Sequence, residues 1–321
     1  MSTERRVVVP LRVPVAGLRA VTATLVAGSS GWGECTEAPP GYPVDAARAR
    51  AAAEEAAYGT WPLPVRDRVP VNALVPALAP AEAAAMAGAA VAAGVRCVKV
   101  KVGAGVSTFR SGHVSLGSDH QKRDQNGKSA EAEARDDLDR VAAVRDAVGP
   151  HVALRVDANG AWGIDAAIAI LAEMAYYDLE LVEDPVASLA DLARVRRRVS
   201  MPVAADETVR DVDDARHLAR LHAADAVVVK VQPLGGVRAA MGVAEAAGVP
   251  AVVSSLYETS VGIAAGLALA AALPELRWAC GLGTAALLAG DVVADPLVPV
   301  DGQMVVRRPT PDPGLLDRYQ G

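Results

Sequence analysis

Lysine is scarce in this chain: of 32 basic residues, only Lys99, Lys101, Lys122, Lys128 and Lys230 are not arginine. Lys99, Lys101 and Lys230 stand in the apolar β-branched runs CVKVKVG and AVVVKVQP, where a charge is costly to bury without partners. Arginine stays protonated in a protein, whereas lysine shifts its pKa readily and can act as a base. A snorkelling or ion-paired structural lysine is the plain alternative for any one of them. Three such lysines at the ends of apolar runs point to chemistry instead. Lys99 and Lys101 are two apart, so on a strand they face the same way. A neighbouring ammonium and partial burial both disfavour a second positive charge, which predicts a lowered pKa for Lys101. A drop from about 10.4 to about 7–8 corresponds to roughly 4 kcal/mol.

The acids complement the lysines. Asp157 in VDANG, Glu183 in VEDP and Asp206 in AADE each close a short apolar run. Singly, each reads as an N-cap or a surface ion-pair partner. In register on neighbouring strands they would repel unless a cation neutralised them. Oxygen ligands with no Cys or His nearby suit Mg²⁺ better than Zn²⁺. Asp184 and Glu207, the adjacent acids, are expected to support the site rather than to ligate. A metal between Lys101 and Lys230 is the arrangement needed to remove a proton α to a carboxylate. The ion stabilises the enediolate by several kcal/mol, one lysine takes the proton, and the other faces the opposite side of the intermediate.

Positioning these residues requires a regular scaffold. Short β-branched runs ending in a polar residue or glycine recur at near-constant pitch, near Asn72, Lys101, Asp157, Glu183, Asp206, Lys230, Ser254 and Gly281. Helical stretches such as Asp165 to Tyr176 and Val212 to His222 lie between them. The alternation implies βαβ units and a parallel sheet buried on both faces. The constant pitch predicts a closed (β/α)8 TIM-type barrel rather than an open sheet, with the polar strand ends gathered at one rim. Residues 1–66 differ: RRVVVPLRVP, LRAVTATLVAG and GWGECTE read as antiparallel strands, followed by a helix from about Asp45 to Tyr58. Residues 291–321 read as short strands and turns returning to that N-terminal part, which gives an α+β cap against a barrel at 67–290. Within the barrel, residues 103–133 are polar, rich in Gly and Ser, and break the pitch. They are expected to be a mobile, solvated insertion, with His113 and His120 solvated and without a catalytic role.

Composition bounds the function. With 321 residues, 52% hydrophobic and 22% charged, the chain is long and apolar enough for a large core, which excludes general disorder. A net charge of −6 leaves no footprint for nucleic acid. Cys35, Cys97 and Cys280 are scattered and outside any CxxC, so neither a disulfide framework nor a zinc knuckle is indicated. The apolar run Val261 to Leu273 is too short to span a bilayer, and the amino terminus lacks a signal-type apolar stretch. A soluble, cytoplasmic protein is expected. The partial glycine fingerprint from Gly281 to Ala285 lacks the chain needed to complete a nucleotide-binding βαβ unit.

As a set, Lys99-Val-Lys101, Asp157-Ala-Asn-Gly160, Glu183-Asp-Pro185, Ala205-Asp-Glu207 and Lys230-Val-Gln-Pro-Leu-Gly-Gly236 resemble the enolase superfamily, muconate-lactonizing subgroup. The resemblance implies a modified (β/α)7β barrel with a capping domain built from both termini. Within that superfamily, Ser254 to Gly262, Ala279 to Ala285 and Gly31-Trp-Gly-Glu34 are similar to stretches of the actinobacterial o-succinylbenzoate synthases. That likeness implies a hydro-lyase of menaquinone biosynthesis, which dehydrates 2-succinyl-6-hydroxy-2,4-cyclohexadiene-1-carboxylate to o-succinylbenzoate. It implies Lys101 as the base and then the acid of a syn elimination, and Lys230 as a cation–π partner of the intermediate. By the same resemblance, Asp157, Glu183 and Asp206 hold Mg²⁺, and Lys99 tunes Lys101 and approaches the substrate carboxylate. Asn159, Ser254, Ser255 and Gly281 contact the substrate, and the cap loop from Ala38 to Tyr42 selects it. The partner is a small carboxylate, with no nucleic acid and no membrane. The alternatives are N-succinylamino acid racemization or dipeptide epimerization, which two opposed lysines suit equally, and, more remotely, a non-catalytic metal-binding barrel.

Overall fold

The structure is a computed structural model that describes residues 3–42, 44–103 and 130–321. His113, His120 and most of the expected insertion lie outside the described residues.

The N-terminal strands form an antiparallel sheet, with β1 (Thr3–Val15) on β2 (Leu18–Gly28) and β2 on β3 (Gly31–Thr36). Their alternating Val, Ala and Leu residues put Val7, Val9, Val21, Ala23 and Leu25 into the core. Helix α1 (Ala46–Tyr58) starts where the Asp45 side chain accepts from the Ala47 and Arg48 N–H groups. It buries Ala49, Ala52, Ala53, Ala56 and Ala57, side chains small enough for the helix to lie close on β3.

The barrel follows. Strand β4 (Arg68–Pro70) leads into β5 (Ala73–Val75), α2 (Pro80–Ala92), β6 (Cys97–Lys101), α3 (Ala130–Val148), β7 (Ala153–Asp157) and α4 (Ile164–Met174). Next come β8 (Leu179–Glu183), α5 (Leu189–Arg196), β9 (Val203–Ala205), α6 (Val212–Leu221), β10 (Ala226–Lys230) and α7 (Val231–Leu234). The barrel ends with α8 (Val237–Ala247), β11 (Ala251–Ser254) and α9 (Ser260–Ala272). Strands β5 to β11 form one seven-stranded sheet in sequence order, parallel throughout. The helices from α2 to α8 thus connect strands that are neighbours in the sheet, as in a barrel rather than a doubly wound sheet.

The eighth position is not a full strand. Cys280 and Gly281 close the ring with single parallel bridges, Gly281 to Ser254 on one side and Cys280 to Val71 on the other. A Cβ at Gly281 would lie 2.5 Å from Ser254 Oγ, so the backbone approaches more closely there than a side chain permits. The chain then turns into a short 3₁₀ helix at Gly283–Leu287 instead of continuing the pleat. Inside the barrel, the fully buried Arg155 reaches this closure, donating to the Ala279 carbonyl at 2.7 Å and to Glu180 at 2.6 Å.

The tail supplies one strand, β12 (Gln303–Val305), antiparallel to β4, and then α10 (Pro313–Arg318), after which Gln320 bridges back to Val7. The apolar run Val261 to Leu273 lies in α9 except for Leu273, and most of its residues are buried between barrel and cap. No helix among the described residues is long and apolar enough to cross a membrane.

Candidate active site

Parallel register brings the polar strand ends to one rim. Lys101 pairs with Asp157 and Asp157 with Glu183, while Lys230 pairs with Ser254 on the opposite arc. Asp206 directly follows β9. Asp157, Glu183 and Asp206 are all buried and offer oxygens within 4.8 Å of one another. Asp157 and Asp206 line a 1210 Å³ cavity together with Tyr42, Lys101, Asn159, Lys230, Ser254 and Tyr257, among others, and Glu183 stands beside them.

The charges are paired closely. Lys99 Nζ donates to both Glu183 oxygens at 2.9 and 3.1 Å and lies 3.1 Å from Asp157. Lys101 Nζ donates to Asp157 at 2.6 Å and to Asn159 Oδ1 at 2.8 Å. Across the mouth, Lys230 Nζ donates to Asp206 and, at 2.9 Å, to the Tyr42 hydroxyl. The adjacent acids hold the groups around them. Asp184 accepts from the Asp206 and Glu207 N–H groups at 3.0 and 2.7 Å, which fixes the end of β9, and Glu207 accepts from Asn159 Nδ2 at 2.9 Å.

The pKa directions follow from this crowding. Burial pushes Glu183 up to about 7, with Asp157 and Asp206 adding to the rise against the pull of Lys99. Burial also raises Asp206, reinforced by Glu207. Asp157 alone is lowered, because Lys101 and Lys99 outweigh its burial. The expected depression of Lys101 is not found. Burial and Lys99 do push it down, but the Asp157 carboxylate beside it wins and its pKa is raised. The sequence showed the like-charged neighbour two residues away; it did not show that Asp157 would lie directly opposite in register.

The donor set fits a hard divalent cation. Three buried oxygen ligands, two of them with raised pKa values, carry more negative charge than the enclosed space favours, and no Cys or His stands among them.

Of the expected site residues, Lys99, Lys101, Asp157, Asn159, Asp206, Lys230, Ser254, Ser255 and Gly281 line this cavity, and Glu183 stands beside Asp157 and Asp206. Asn159 is held at both ends of its amide, by Lys101 and Glu207. Ser255 donates to the Gly281 carbonyl at 2.8 Å and lies 2.8 Å from the Thr284 hydroxyl, whereas Ser254 is 3.5 Å from the same carbonyl. Sequence reasoning missed Tyr257, which lines the cavity at φ +76° within the Ser254 to Gly262 stretch, and Gln232 beyond Lys230. Tyr42 had a signal only as the end of the cap loop expected to select the substrate.

An acid triad between two lysines, at the carboxyl rim of a capped barrel, defines a class of proteins that remove protons α to carboxylates. The chain matches the family Enolase C-terminal domain-like over residues 82–316, and it belongs to the enolase superfamily. More particularly, it is 47% identical over 306 residues to an o-succinylbenzoate synthase from Thermobifida fusca (strain YX), covering 95% of this chain and 88% of that one. It is 42% identical over 311 residues to an o-succinylbenzoate synthase from Mycobacterium leprae (strain TN), covering 97% and 84%. Its fold matches the crystal structure of a muconate lactonizing enzyme from Pseudomonas fluorescens complexed with muconolactone. The TM-score is 0.82 at 23% identity, with 100% of this chain and 98% of that one covered.

Proposed function

We propose that the chain catalyses the dehydration of 2-succinyl-6-hydroxy-2,4-cyclohexadiene-1-carboxylate to o-succinylbenzoate, acting in the cytoplasm on a free small-molecule carboxylate. The observation that carries this reading is the placement of Lys101 and Lys230 on opposite arcs of one cavity with the acid triad between them. The likeness to o-succinylbenzoate synthases over nearly the whole chain supplies the substrate.

Asp157, Glu183 and Asp206 would hold the metal, for which the all-oxygen donor set favours Mg²⁺. When bound, the ion supplies positive charge that offsets the charge developing on the substrate carboxylate and opposes protonation of the neighbouring lysines. Lys101, as the free amine, takes the proton from the carbon that bears the carboxylate, and the released pair passes onto the carboxylate oxygens. The resulting ammonium returns that proton to the departing hydroxyl on the same face, so that water leaves and the ring becomes aromatic. Lys230 faces the other side of the ring, where its charge favours the electron-rich intermediate. Asn159, held by Glu207, aims Lys101. Lys99 pairs with Glu183 and Asp157 beneath them and favours their ionised forms. Ser254, Ser255 and Gly281 line the arc that faces the triad and would receive the succinyl arm. The division into cap residues 1–66 and 291–321 around a barrel at 67–290 belongs to the same proposal.

The test is aromatisation of the cyclohexadiene substrate with added Mg²⁺, run beside racemization of N-succinyl amino acids and epimerization of dipeptides. Fast aromatisation with slow or absent racemization is the expected result. The reverse order would transfer the site to the alternative reaction.

A further inference from the structure

Gln232 lies two residues beyond Lys230, in the single-turn helix α7, and is 3% exposed. Its side-chain amide meets the backbone of Thr36, the last residue of cap strand β3, at both ends. Oε1 accepts from the Thr36 N–H at 2.7 Å, and Nε2 donates to the Thr36 carbonyl at 2.7 Å. At this point of β3 the amide replaces a neighbouring strand, and all four buried polar groups are satisfied.

From Thr36 the cap chain runs on to Tyr42, and Tyr42 returns to the lysine. Lys230 Nζ donates to the tyrosine hydroxyl at 2.9 Å and lies 4.6 Å from the ring centre. Lys230, Gln232, Thr36 and Tyr42 therefore form a closed circuit between barrel and cap. The rest of the Lys-Val-Gln-Pro-Leu-Gly-Gly stretch is fastened to the same cap. Gly235 and Gly236 adopt φ +92° and +133°, and a Cβ at Gly236 would lie 2.3 Å from Glu55 of α1. That glutamate accepts from the N–H groups of Val237 and Arg238.

We infer that Gln232 is a positioning residue for Lys230: by gripping the Thr36 backbone it sets the register of cap against barrel that holds Tyr42 on the lysine's ammonium. The inference rests on the reading of Lys230 as the group facing the reaction intermediate. Lys230 is aimed from two sides, by Asp206 from the barrel and by Tyr42 from the cap, and loosening Gln232 releases the second contact. The loss should fall on turnover rather than on binding, because the triad and Lys101 are held by other strands.

The test is a double-mutant cycle of Gln232→Glu and Tyr42→Phe in the full chain, read as kcat and KM for aromatisation beside thermal melts. Glutamate keeps an acceptor for the Thr36 N–H but sets an oxygen against its carbonyl. Should that variant not fold, the neutral but shorter Gln232→Asn is read in the same way. Each single variant is expected to lower kcat about three- to tenfold with KM changed less than about twofold, and the double variant to be no slower than the slower single one. Losses that multiply, or a lower melting temperature with kcat unchanged, would overturn the inference while leaving the proposed reaction intact. Failure of the unmodified protein to aromatise the substrate would remove the reading beneath it, and the inference too.

Discussion

Each of Lys99, Lys101 and Lys230 is held on a carboxylate, and those same carboxylates are the proposed metal donors. Removing one donor therefore has two effects, on ion affinity and on lysine charge. Glu183 touches Lys99, and burial pushes its pKa up to about 7. Glu183→Gln is expected to weaken divalent-ion binding by at least about tenfold, with aromatisation falling in parallel. Isothermal titration with Mg²⁺ and initial rates over the same concentrations check this, and full activity in a variant that no longer binds the ion would refute it. Asn159 makes a narrower prediction. Asn159→Ala removes the 2.8 Å contact that aims Lys101, so kcat should drop about tenfold while metal affinity holds. Equal losses in both would make Asn159 a part of the ion site instead.

Cap and barrel also meet through buried polar contacts between β3 and the start of α9. Glu34 accepts from Thr36, from the Thr259 N–H at 2.9 Å and from the Gly262 N–H at 2.8 Å. Glu258 is buried beside it, and burial, with Glu34 adding to the effect, pushes its pKa up to about 7. The native state therefore keeps this proton over a range where the unfolded chain has lost it. Stability from Glu258 is fully present below about pH 4.5, falls as pH rises, and is gone above about pH 7, a loss of about 3 kcal/mol. Glu258→Gln stays neutral and should flatten that part of the profile, raising the urea midpoint relative to the unmodified protein at pH 8 but not at pH 4.5. Parallel pH profiles for the two proteins would contradict the account.

At the scale of the whole molecule, the barrel closes through Cys280 and Gly281 rather than through a complete strand, with Arg155 tying Ala279 from inside. Removing that guanidinium leaves the Ala279 carbonyl and Glu180 without their buried partner. Arg155→Met should cost about 3 kcal/mol, read as a lower urea midpoint at unchanged slope. A midpoint equal to that of the unmodified protein would show that the bridges suffice.

This closure also marks how far the sequence could be read. β-branched runs ending in polar residues located Lys101, Asp157, Glu183, Asp206 and Lys230, because a parallel strand advertises its own end. Helices were legible to within a few residues: the stretch predicted to reach Tyr176 stops at Met174, where a 3₁₀ turn takes over. The incomplete eighth strand was not legible, since its cause is the close approach of Gly281 to Ser254 across the ring. Tyr42 and Gln232 were hidden for the same reason, as their partners are distant in the chain. The sign of the Lys101 shift was missed because it depends on register, which spacing along one strand does not reveal.

The most direct test of the account is the rate of o-succinylbenzoate formation by the unmodified protein and by Lys101→Ala at saturating Mg²⁺. The account predicts turnover by the first that chelation stops and Mg²⁺ restores. It predicts a loss of at least about a thousandfold in the second, whose fold and metal affinity persist. Comparable rates in the two proteins, or turnover indifferent to chelation, would contradict it.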